Sequence, residues 1–256
     1  MTWVSLKTVR RGIRVVFLAT TPMLMLTFAT GTASAFQVTP ISRDFDPSGK
    51  GASQSFQVVN DRDEQVTVTI KVATREVDAD GNEVHNPTKD FSVFPTEIVL
   101  PPRGTQIVRA KWLGDASPKN ELAYRLIAEE TPLKTRRDTP GASIFMTVRY
   151  VGSLYVVPKG ARANVSVLSA RPVTADGKPM LEVMVQNNGT AHAILENPTL
   201  TVKSGAVTKT IKAEDMNGLL AGENVLAQHQ RRLTVAWPGE FPSGPVEASL
   251  VFDQQR

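Results

Sequence analysis

The chain has 256 residues, of which 41% are hydrophobic, 21% charged and 6% aromatic, a composition that excludes a wholly disordered chain and one with many membrane spans. The 29 basic residues outnumber the 25 acidic ones, but Lys7, Arg10, Arg11 and Arg14 fall in the first 35 residues, where no acid occurs; the rest balances at zero, and nucleic-acid binding loses its compositional support. Cysteine is absent, which rules out disulfide frameworks, thiol nucleophiles and cysteine metal sites.

Residues 1–35 read as a cleaved secretory signal peptide. Lys7 to Arg14 form a positive start, and an apolar stretch from Val15 to Phe28 follows, broken by Thr20, Thr21 and Pro22. It is too short and too interrupted for a span of about 20 residues. Ala33-Ser34-Ala35 supplies the small-x-small pattern, so Phe36 is the expected first mature residue. The mature chain is expected to be exported, with no insertion into the membrane.

After residue 36 the hydrophobic period is two. Gln54–Val59, Val66–Val72, Ile98–Leu100, Ile107–Trp112, Tyr124–Ala128, Ile144–Val157 and Leu181–Val185 alternate and are rich in Val, Ile, Thr and aromatics, as half-buried pleated surfaces prefer. Asp46-Pro47-Ser48-Gly49, Asn60-Asp61-Arg62-Asp63, Asp80-Gly81-Asn82, Pro101-Pro102-Arg103-Gly104, Asp176-Gly177 and Asn187-Asn188-Gly189 are turn signals between them. The reading is all-β. A length of about 220 residues suits two sandwiches better than one, divided at Pro158-Lys159-Gly160-Ala161, hence domains 36–158 and 159–256. Each half carries a strand ending in asparagine, Phe56–Asn60 and Val183–Asn187, a weak internal similarity.

No catalytic constellation stands out. His85, His192 and His229 lie far apart, and the Asp78–Asn82 stretch reads as a hairpin turn, its glycine two places early for a calcium loop. Glu129 and Glu130 are adjacent and would face opposite sides of a strand. Neither enzyme activity nor a cofactor or metal is expected.

Four segments are more specific: Val38-Thr39-Pro40-Ile41-Ser42-Arg43-Asp44-Phe45; Phe94-Pro95, leading to Pro101-Pro102-Arg103-Gly104-Thr105-Gln106-Ile107-Val108-Arg109; Glu121-Leu122-Ala123-Tyr124-Arg125-Leu126 through Pro132; and, after a basic loop with Lys134, Arg136 and Arg137, the run Ile144–Val157. In these the chain resembles the periplasmic pilus-assembly chaperones of the chaperone–usher pathway, over nearly its whole mature length. Asn187-Asn188-Gly189-Thr190 and Val225-Leu226-Ala227 resemble the family's second domain.

The resemblance implies two immunoglobulin-like sandwiches set at an angle. It also implies a function: a periplasmic chaperone binds a pilus or fimbrial subunit lacking its last strand, lends it one by strand addition, and delivers it to an outer-membrane usher. The family's donor residues map onto Ile144, Met146 and Val148, which share one face by the two-residue period. Its two basic anchors for the subunit's terminal carboxylate map onto Ser42 and Ser153, neither charged; Arg43 and Arg149 are the nearby basic candidates for that role. Tyr124 is expected to pack its ring with its hydroxyl paired, and Arg109 and Arg125 to tie strands together; Arg103 and Arg109 are candidate partners for Glu121, which the sequence does not place. An exported immunoglobulin-like binding module and a self-associating surface subunit are the alternative functions.

Overall fold

Alternation of β-branched and aromatic residues with polar ones dictates strands with one wet and one dry face, and the chain satisfies it twice over. The computed structural model describes residues 36–131, 147–216, 220–237, 239 and 245–254. The leader, the basic loop with Lys134, Arg136 and Arg137, and the expected donor residues Ile144 and Met146 lie outside the described residues.

The first sandwich contains β1 (Phe36–Thr39), β2 (Ser42–Phe45), β3 (Ser53–Asn60), β4 (Val66–Thr74), β5 (Glu76–Val77), β6 (Glu83–Val84), β7 (Phe91–Phe94), β8 (Glu97–Leu100), β9 (Thr105–Trp112), β10 (Leu122–Thr131) and β11 (Arg149–Val156). One sheet has the order β1-β3-β9-β7, the other β2-β11-β10-β4-β8, and β5 with β6 makes a separate hairpin. The first strands split between sheets: β1 runs antiparallel to β3, and β2 runs parallel to β11.

Every second residue points inward, as the period requires. Val66, Val68, Ile70 and Val72 of β4, Val108, Ala110 and Trp112 of β9, and Tyr124, Leu126 and Ala128 of β10 are buried in one core. Phe91 lies at its aromatic centre. Its ring stands 5.1 Å from Phe45, 5.2 Å from Trp112 and 5.0 Å from Tyr124, each edge-on. Such pairs add about 0.5–1.5 kcal/mol each beyond the area they bury. The Tyr124 hydroxyl donates to Asp90 at 2.8 Å. Burial first, then that hydrogen bond and the Asp90 charge, pushes its pKa well above the ordinary tyrosine value.

After β11 the chain turns at Pro158–Ala161, where the Ala161 N–H donates to the Pro158 carbonyl. The second sandwich follows with β12 (Val165–Ala175), β13 (Lys178–Asn187), β14 (Ala193–Ile194), β15 (Glu196–Ser204), β16 (Val207–Lys212), β17 (Asn224–Val225), β18 (Gln230–Ala236) and β19 (Glu247–Asp253). Its sheets are β12-β13-β18 and β16-β15-β19, with β14 and β17 as a small pair. Leu181, Val183 and Val185 of β13, with Leu233 and Val235 beside them on β18, share an aliphatic core with Leu200 and Val202 of β15.

The two asparagine-ended strands close on the same device. Asn60 and Asn187 are fully buried. The Asn60 amide donates to the carbonyls of Glu64 and Pro101, and its oxygen accepts from the Arg62 N–H. The Asn187 amide donates to the carbonyls of Ala191 and Val225, and its oxygen accepts from the Gly189 N–H. A buried amide persists only when its groups are paired, and here each one ties a turn to a distant strand. The Asp78–Asn82 stretch is the expected hairpin turn. It joins β5 to β6, with the Asp78 carboxylate accepting from the Asn82 N–H.

Candidate functional site

Among the described residues, strand β11 is left partly uncovered along one edge. On one side it pairs with β10 along its whole length, from Val156 opposite Leu122 to Arg149 opposite Glu129. On the other side it pairs with β2 only from Ser153 to Val156. Among the described residues no strand covers that edge upstream of Ser153. The Ser153 N–H donates to the Ile41 carbonyl and the Val157 N–H to the Phe45 carbonyl. By the alternation of a ladder, the main-chain groups of Arg149 and Val151 therefore face the open edge. Unpaired main-chain groups of this kind are a template for another strand.

The side chains of β11 alternate between two environments. Leu154 and Val156 are buried in the first core, and Val148 and Tyr150 pack against it. Val148 thus lies on the inward face. Its carbonyl still accepts from the Glu130 N–H, so the ladder with β10 continues past the end of β11.

The outward face holds the charged groups. Ser42 and Ser153, the two residues mapped to the basic anchors, stand opposite one another in the β2–β11 register. Gly152 makes this approach possible: a Cβ there would come within 2.7 Å of the Ile41 carbonyl oxygen. The Ser153 hydroxyl accepts from Arg125 at 2.5 Å. Arg125 stands on β10 directly across from Ser153. A cation therefore reaches the mapped position from the neighbouring strand.

Arg125 belongs to a cluster. Its Nε donates to Glu83 at 2.9 Å, and Arg75 Nε donates to the same carboxylate at 2.9 Å. Arg75 Nη1 donates to the Tyr155 hydroxyl at 3.0 Å, and His85 Nε2 lies 2.9 Å from Glu83 Oε2. The side chains of Arg75 and Arg125 are only 8% and 14% exposed. Burial pushes the Glu83 carboxyl up. The hydrogen bonds from Arg125 and His85 and the charges of Arg75 and Arg125 outweigh it and bring the pKa down to about 2.

Tyr155 links this cluster to the second sandwich. Its ring stacks on His192 at 4.0 Å, and its hydroxyl accepts from the Asn224 amide at 2.8 Å. Glu121 closes the same region. Its carboxylate lies 2.7 Å from His192 Nδ1, with its side chain 2% exposed. The partner of Glu121 is therefore His192, and neither of the candidates Arg103 and Arg109. Arg103 instead pairs with Asp63 at the surface, and Arg109 is exposed. The tip of the β5–β6 hairpin also reaches across. The Ala79 carbonyl accepts from the Arg232 N–H at 2.6 Å, and Asp80 pairs with the Arg232 guanidinium.

Arg43 is exposed on β2, opposite Leu154 rather than Ser153. Arg149 is exposed at the far end of β11, opposite Glu129. The structure does not bring the two together: Arg149 lies four residues, or about 13 Å, from Ser153 along the strand. Sequence reasoning missed the convergence of Arg75, Arg125 and Glu83. A faint signal existed, since a basic residue stands in the middle of the apolar β10.

Comparison with known proteins adds the lineage. Residues 47–162 match the family model of the pili and flagellar-assembly chaperone, PapD N-terminal domain. No curated protein matches the chain. Among solved structures, the class 5 fimbriae chaperone CfaA is 15% identical with a TM-score of 0.55, over 87% of this chain and 94% of that one. A chain of the chaperone–tip adhesin complex of CFA/I fimbriae biogenesis is 16% identical with a TM-score of 0.54, over 84% and 93%. A chain of the Salmonella enterica SafA pilin–SafB chaperone complex is 17% identical with a TM-score of 0.51, over 88% and 93%. At such identities the likeness is one of fold. Together with the family match it makes this chain an all-β protein of two immunoglobulin-like sandwiches, similar over residues 47–162 to the pili and flagellar-assembly chaperones.

Proposed function

We propose that this protein holds a pilus or fimbrial subunit that lacks its last strand and passes it to an outer-membrane usher. The observation that carries the reading is the open edge of β11. A subunit sandwich missing a strand exposes an apolar groove between unpaired edges. A strand lent to it supplies main-chain hydrogen bonds and fills the groove with alternate side chains. Ile144, Met146 and Val148 are the proposed fillers. Each contributes about 1.5–3 kcal/mol on burial, from which the entropy of association is subtracted.

The edge also sets a direction. A subunit strand pairing with Arg149 and Val151, and running parallel to β11, meets β2 at Ile41 and Ser42. It must end there, which puts a chain terminus beside Ser153 and Arg125. The two-arginine cluster suits a carboxylate at that point, through charge-assisted hydrogen bonds. Arg43 adds positive charge from the exposed edge of β2, whereas Arg149 lies beside the body of the incoming strand. The proposed workplace is the periplasm, after loss of residues 1–35, with the domain boundary at Pro158.

The test is a pull-down of the tagged protein from its native periplasm beside Met146→Arg, with mass spectrometry of stoichiometric partners. Wild type is expected to retain a small β-rich exported subunit that Met146→Arg loses, because a charge in an apolar groove is strongly disfavoured. Equal recovery by both proteins would overturn the donor assignment. Self-association of the purified protein in light scattering would favour a polymerising subunit.

A further inference from the structure

We propose that Arg75 and Arg125 form a carboxylate-binding site that Glu83 occupies in the free protein, and that an incoming chain terminus takes Glu83's place. The inference rests on the reading above and adds a built-in competitor to it. Three observations carry it. First, the two guanidinium groups come from different strands, one just beyond β4 and one on β10, and converge on one carboxylate. Two arginines against one acid leave a surplus positive charge beside Ser153, where the added strand must end.

Second, Glu83 is not part of either sheet. It sits on a hairpin whose strands have two residues each, paired only as Glu76 with Val84 and Val77 with Glu83. A two-stranded ribbon of that size is marginal by itself; its base is tied to β4 through Thr74 and Asn86, and the carboxylate itself is held by Arg75, Arg125 and His85. Third, the hairpin has a second hold. Its tip at Ala79 and Asp80 grips Arg232 of β18. Displaced from the arginines, Glu83 would swing out on a hairpin still fastened to the second sandwich. Glu83 thus keeps two buried cations paired until a subunit supplies its own carboxylate, sparing the free protein an uncompensated buried charge.

The probe is sodium acetate, titrated against sodium chloride at matched ionic strength and followed by the arginine Nε–Hε signals in NMR. A tethered carboxylate competes at an effective concentration in the millimolar range or above, so wild type should bind acetate poorly. Glu83→Gln, which keeps the shape and removes the charge, should lower the acetate Kd at least about tenfold, with saturable shifts. The gain should vanish in the double variant Glu83→Gln/Arg125→Gln. Glu83→Asp, which retracts the carboxylate by one methylene, should fall between wild type and Glu83→Gln, and it serves as the readout should Glu83→Gln not fold. Equal acetate binding by wild type and both Glu83 variants would overturn the proposal, as would a gain that survives loss of Arg125. Acetate needs no subunit, so failure of subunit capture in the pull-down would leave this measurement intact.

Discussion

Asn60 and Asn187 occupy equivalent corners of the two sandwiches. Each is fully buried, each donates to a carbonyl four residues on and to one on a distant strand, and each accepts from the N–H two residues on. Around these matched corners the two halves diverge. The first packs a T-shaped aromatic cluster about Phe91, and the outer face of its five-stranded sheet carries arginines converging on one acid. The second has an aliphatic core. Its ion pairs include Arg171 with Glu182, in which Arg171 is largely exposed. The repeated part is the scaffold, and the part that does not repeat is where the open edge and the charge lie. A frame can recur while the chemistry it carries does not.

The comparison breaks most easily at the cores. Phe91→Ala should cost about 3–5 kcal/mol in urea unfolding, and Leu200→Ala about 3 kcal/mol. Trp112 reports on the first core and Trp237, which packs against the second, on the other. If Phe91→Ala lowered both transitions equally, the two cores would not be independent. The corners come next. Asn60→Ala and Asn187→Ala should each cost about 2–4 kcal/mol, because buried carbonyls lose their donors. A difference of more than about twofold between them would show that the geometric match is not an energetic one.

Acid should act mainly on the first sandwich. The Glu83 pKa is depressed from its ordinary glutamate value to about 2, so its contribution is fully present above about pH 4.5. It is lost as the pH falls from there through about 2. After discount for solvent screening the loss is about 1–2 kcal/mol. The difference in stability between wild type and Glu83→Gln should shrink over that window, and a constant difference would remove the ionic account. The smallest effect belongs to the second sandwich: Arg171→Ala should leave the urea midpoint where it is, since its pairing with Glu182 lies at the surface.

Much of the scaffold was legible from period alone. Val66–Val72 alternates so regularly that its four inward residues could be named, and all four are buried, with Thr67 beside them. Tyr124 with a paired hydroxyl was likewise readable, as was the Asp78–Asn82 turn. Glu121 was not, because its partner His192 lies 71 residues away in the other sandwich. No local pattern encodes such a distance. The arginine cluster was hidden for the same reason, since Arg125 meets Glu83 across 42 residues. The anchor positions show the limit of counting. Alignment placed Ser42 and Ser153, and the register sets them side by side. A basic neighbour one step away, such as Arg43, points to the other face, because the period of a strand is two.

Gly152 gives the open edge of β11 an end. Any side chain there would press on the Ile41 carbonyl and lift β2 from its partner. With β2 in place, an added chain has a fixed terminus against which its residues are counted backwards. A chain one residue longer would present its apolar side chains to water and its polar ones to the groove. On the proposed function the edge is therefore a ruler as well as a template: it selects a partner by the distance of its apolar residues from its own last residue, a property that no single side-chain contact measures.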